Sequence, residues 1–186
     1  MLEFFKGPLG SHRNYLTHIA LPNSVDYMAL AKGHEEAQDA STSSKYKELR
    51  YFLNAVESLN NILEYYFYEN ETIIQEPTVQ GFKQSVYITH PELRDLSNLA
   101  NAYKHCVRES NGSKRTNVPW AKDLQIPEVR VYIDLSQRPK VKVDAGYLFQ
   151  GPTPQHLEVF HKALKFWFSY HNDPHATLSQ VAEATP

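Results

Sequence analysis

Five residues in one stretch have types and spacing that could do chemistry: Arg94, Asn98, Asn101, His105 and Arg108, in LRDLSNLANAYKHCVRES. At about 100° per residue, a helix aligns them within about 40° of one line. Guanidiniums fork onto oxyanions, amides both donate and accept, and an imidazole moves protons near neutral pH. In that arrangement His105 is a general acid/base, Arg94 and Arg108 clamp a phosphate, and Asn98 and Asn101 position it. Lys104 adds a cation beside them. A packed helix also needs a polar back for no chemical purpose, so the same stripe fits a solvated face.

The elements that must position this stripe follow from periodicity. Leu93, Leu96, Ala100, Tyr103 and Val107 recur on the opposite side of the stretch. Thr89 and Glu92 have capping-box spacing and Pro91 suits a first turn, which predicts a central helix over Thr89–Ser110. Upstream, Asn23 or Ser24 caps a helix to about Ala40, with Val25, Met28, Leu30 and Ala31 inward. The polar break Ser41–Ser44 supplies the next cap. Lys45 to about Glu69 then repeats Leu49, Phe52, Leu53, Val56, Leu59, Leu63, Tyr66 and Phe67, a long amphipathic helix. Asn54, Asn60 and Asn61 are assigned to its polar sides. Tyr65–Tyr68 is aromatic on every face of one turn, for the core or for a partner. Val79–Thr89 fits a short helix or a strand; its helical neighbours and the spacing of Phe82, Val86 and the Tyr87/Ile88 pair favour the helix.

After a turn-rich loop at Asn111–Trp120, the period falls to two. Val129, Val131, Ile133 and Leu135, then Lys140–Asp144, predict a β-hairpin at about residues 128–144 that packs on the helices or on a partner chain. Thr153 and Pro154 open a last helix to about His171, with Leu157, Phe160, Leu164, Trp167 and Phe168 inward. The fold class is mainly α: a bundle of four to five helices with one inserted hairpin, in a single domain over residues 13–173. Gly7–His12, GPLGSH, resembles the scar of a cleaved expression tag, so residues 1–12 stand outside the fold argument. Leu148–Pro152, LFQGP, resembles a picornaviral 3C protease site. Residues 174–186 read as a flexible tail.

Composition bounds the function. The 186 residues are 41% hydrophobic and 22% charged, a globular balance, with twelve Tyr and nine Phe for an aromatic core. The single cysteine, Cys106, excludes an internal disulfide and a cysteine zinc site; it reads as a small buried side chain. No apolar run reaches the roughly 18–20 residues of a membrane span, and no signal-peptide layout is present, so a reducing cytoplasm is expected. The formal charge is −2, yet Lys104 to Lys142 holds nine Lys or Arg against four acids, a local +5. That permits phosphate-backbone contact without requiring it. His156/His161 and His171/His175 lack metal-ligand spacing, and phosphate-loop, dinucleotide and GxSxG motifs are missing. No metal or cofactor is expected.

A helical domain of this size, with Arg94, Asn101 and His105 in LRDLSNLANAYKH, resembles the HEPN superfamily across roughly Lys45–His171. Catalytic members are metal-independent RNases with an Arg-x4–6-His motif, whose cleft forms across a homodimer. Four to six residues before His105 stand Ala100, Leu99 and Asn98, so the arginine of that motif is missing. The resemblance therefore implies an accessory or binding domain for RNA, nucleotide or a protein partner, of phage-defence or toxin–antitoxin type. It also implies a homodimer through the central helix. The alternatives are an endoribonuclease built on His105 and Arg94, and a purely structural interaction module.

Overall fold

The computed structural model describes residues 7, 9–38, 41–104, 109–110, 113–114, 125–134, 140–149 and 152–178. It is mainly helical. The first helical rod starts earlier than its sequence suggests. Ser11 accepts a hydrogen bond from the Asn14 amide at 3.0 Å and caps α1 (His12–Tyr15). α1 runs through a π-helical turn, Leu16–Ala20, into α2 (Leu21–Glu36) without a break. Pro22 explains the wide turn: it has no N–H for the carbonyl four residues back, and its ring would crowd that carbonyl. Ser24 is consequently not a cap. It lies buried inside the rod and donates to the Ala20 carbonyl at 2.9 Å. Only part of the expected inward face turns in: Ala31 packs against the core. Val25 is 56% exposed and Met28 37%, whereas Tyr27 is buried, edge-on to Phe52 and Phe160 at 5.1 and 5.4 Å. A single aromatic at the right angle outweighs two aliphatics at the wrong one.

Ser41 caps α3 (Thr42–Glu69) by accepting from the Ser44 amide at 3.3 Å. Phe52, Val56, Leu59, Leu63, Tyr66 and Phe67 are buried as their periodicity requires. Ala55, Ser58, Asn60 and Ile62 are buried too, so the middle of α3 is covered on more than one side. Asn60 thus leaves the polar side assigned to it. α3 touches the α1–α2 rod and every other helix of the described bundle, which makes it the organising element in place of the central stretch.

Thr78 caps α4 (Val79–Thr89) through Gly81, whose amide donates to the threonine hydroxyl at 3.1 Å. A Cβ on Gly81 would sit 3.3 Å from that hydroxyl, a tight approach that the threonine side chain would have to yield to by a few tenths of an ångström. Phe82, Val86 and Tyr87 enter the core and Ile88 stays out. α5 (Pro91–Lys104) follows after His90 alone. The Thr89–Glu92 capping box does not form, because the Thr89 hydroxyl donates to the Val86 carbonyl at 3.1 Å and closes α4. Leu93, Leu96 and Ala100 are buried as expected; Leu99 and Ala102 join them.

Thr153 caps α6 (Pro154–Asn172), with Pro154 at its first turn. Phe160 and Trp167 are fully buried, but Phe168 is 57% exposed, and His156, Ala163 and Tyr170 take the inner face with them. Fully burying one such aromatic stabilises the fold by about 1.5–3 kcal/mol. Between α5 and α6, the described backbone runs extended and antiparallel in two pairs. These are β1 (Glu109–Ser110) with β2 (Ser113–Lys114), and β3 (Gln125–Asp134) with β4 (Lys140–Phe149), where Val131 faces Val143. Beyond α6, Leu178 is buried and its amide donates to the Tyr66 hydroxyl at 3.2 Å, so residues 174–178 pack on the body and do not trail from it.

Candidate functional site

α5 turns Leu93, Leu96, Leu99 and Ala100 into the core, and this fixes which side faces out. Arg94 lies on that outer side with its side chain 55% exposed and its Nε 3.8 Å from Asp95 Oδ1. Both partners are open to water, so this contact holds the guanidinium only loosely. Asn98 and Asn101 are half-buried on the same side, and the Asn101 amide donates to Ser97 Oγ at 3.5 Å. Lys104 is the last residue of α5; His105 and Arg108 lie outside the described residues. The described part of the stripe is therefore one cation and two amides. Such a set binds an oxyanion or a planar polar group, and by itself supplies no proton carrier near neutral pH.

The neighbouring face of α6 continues this surface. Lys162 bonds Glu158 at 2.7 Å, and its pKa is raised first by that carboxylate and last by Asp95, so the two helix faces sense each other's charge. His161, Lys162 and Lys165 border an open hollow of about 480 Å³ on α6. Sequence reading did not single out Lys162 and Lys165 as site residues. Their i and i+3 spacing on the outer side of α6 was the available signal.

Two further clusters lie elsewhere. His34 Nδ1 stands 3.6 Å from Glu48 Oε2, beside a groove of about 580 Å³ between α2, α3 and α6 that also exposes Lys45 and His161. At the start of α1, His12 is buried between Glu69 and Tyr170, 57 and 158 positions away. No local pattern announces a contact of that span. Among the described residues, no group of three His, Cys, Asp or Glu is placed to hold a metal ion. None of the helices among them is long and apolar enough to cross a membrane. No family model, curated protein or solved structure matches the chain.

Proposed function

We propose that this chain is a HEPN-like accessory domain that binds RNA or nucleotide phosphate through the outer face of α5, without cleaving it. The observation that supports this reading most is the side-chain exposure of Arg94, 55%, on the face it shares with Asn98 and Asn101. A loosely held guanidinium is available to a phosphate at little cost, whereas one locked in a buried ion pair is not. Lys104, His105 and Arg108 continue the face in sequence, within the locally basic stretch that ends at Lys142. In this reading two copies pair through the central helix, and the β3–β4 ladder is a hairpin inserted before α6. The domain works in a reducing aqueous compartment. A protein partner in place of RNA is the competing occupant, for which the 65%-exposed Tyr68 of the aromatic turn is the natural anchor.

The test is anisotropy of a labelled single-stranded RNA at low and moderate salt, with a parallel cleavage assay in chelator. The expected result is salt-sensitive binding that Arg94→Ala weakens roughly fivefold while lowering the salt slope by about one. Cleavage that disappears in His105→Ala would move the assignment to the endoribonuclease. Absence of both binding and cleavage would sink the nucleic-acid reading and leave the interaction module.

A further inference from the structure

The end of the bundle where α1 begins carries polar machinery that the α5 face does not use. Glu69 Oε2 accepts the His12 backbone N–H at 2.8 Å and lies 2.6 Å from His12 Nδ1. His12 Nε2 lies 2.9 Å from the Tyr170 hydroxyl. A carboxylate at Nδ1 sets that nitrogen as the donor, so neutral Nε2 accepts a hydrogen bond from the phenol O–H. Arg13 completes the assembly. Its guanidinium sits 4.6 Å over the Tyr170 ring and donates to the carbonyls of Tyr170, Asp173 and Ala176 at 3.4, 3.0 and 3.1 Å. The strap Pro174–Leu178 is thus held at Ala176 by Arg13 and at Leu178 by Tyr66, and both anchors pack on the His12 imidazole or on its partner Tyr170.

We infer that this assembly is a proton-operated clasp: protonation of His12 loosens the strap Pro174–Leu178 while the helical body stays folded. His12 faces Glu69 and Tyr66 on α3, Tyr170 on α6 and Arg13 beside it in α1. Asp173 and His175 lie in or next to the strap, and His171 Nδ1 is 3.4 Å from Thr17 Oγ1. A proton added at Nε2 reverses that bond, so the Tyr170 hydroxyl must turn to accept from the imidazolium and its own proton loses its acceptor. It also places a second cation beside Arg13, against which Glu69 and Asp173 are the carboxylates among these groups.

Burial is the largest influence on His12 and lowers its pKa from 6.5, against the pull of Glu69. The sign follows: the closed clasp binds fewer protons than the open one. Its stability is fully present above about pH 6.5 and is lost as pH falls through the depressed value. Glu69 also lines a cleft of about 410 Å³ with Ser11 and Tyr65, so water reaches the carboxylate that faces the imidazole.

Hydrogen exchange, corrected for intrinsic rates, tests the inference on the full chain. Between about pH 7.5 and about pH 5, protection of the Leu178 amide should fall severalfold while that of Leu59 in α3 holds. In His12→Gln, which does not titrate, the Leu178 response should vanish. Equal protection of Leu178 at both pH values overturns the inference, and so does a matching loss at Leu59, which is global unfolding. A response that survives in His12→Gln assigns the proton to another group and also overturns it. Should His12→Gln fail to fold, an NMR titration of the wild-type imidazole decides. Its midpoint must coincide with the loss at Leu178, and a mismatch refutes the clasp.

Discussion

Two polar regions of this molecule are built on opposite terms. The His12 imidazole is buried, and its backbone N–H and both ring nitrogens are met by a carboxylate or a phenol. The outer face of α5 is open, and its guanidinium is held by one neighbouring carboxylate at 3.8 Å. A buried polar group without a partner costs about 1–3 kcal/mol, so enclosure forces complete pairing. An exposed group faces no such demand and remains available to a ligand. The first region is therefore read as architecture, and the second as surface for recognition.

The contrast can be broken by experiment. The largest effect belongs to the apolar frame that both regions rest on. Phe52→Ala, at the meeting of α2, α3 and α6, should cost about 3–5 kcal/mol in urea unfolding. Glu69→Ala comes next, because it removes the acceptor for two His12 donors. A loss of about 1–3 kcal/mol is expected at neutral pH, and a change below about 0.5 kcal/mol would deny the cluster its architectural role. Ser41→Ala and Thr153→Ala should each cost about 1 kcal/mol by removing a helix cap. Arg94→Ala should change stability by no more than about 0.5 kcal/mol, measured in the same denaturant series. A large destabilisation there would show that the α5 face is structural after all.

How much of this was legible in the sequence depended on the range of the interaction. Ser41, Thr153 with Pro154, the bounds of α4 and the stripe of α3 were all readable, because caps and amphipathic periods are local. Thr89 shows where local reading fails: its hydroxyl had two possible employers, and the helix before it won. Pro22 and the tag-like GPLGSH together hid a continuous rod, since a π turn that absorbs a proline has no sequence signature. Phe168 and Val25 were assigned inward because hydrophobicity was weighed without angle; Tyr170 and Tyr27 hold those places. On the candidate face, Arg94, Asn98 and Asn101 were placed together by helical spacing alone. The His12–Tyr170 contact depended on the whole bundle and could not be read.

The hydrogen bond from Arg13 to Ala176 spans 163 positions of the chain. A contact of that separation cannot nucleate folding, because closing so long a loop costs entropy before anything repays it. It forms once the helices between have assembled, and it joins two segments that lie side by side. The bundle is thus nearly a ring in space, although it is a line in sequence. A permuted chain, with Leu178 linked to Ser11 by a short flexible segment and new ends cut elsewhere, should reach the same fold with this junction already closed.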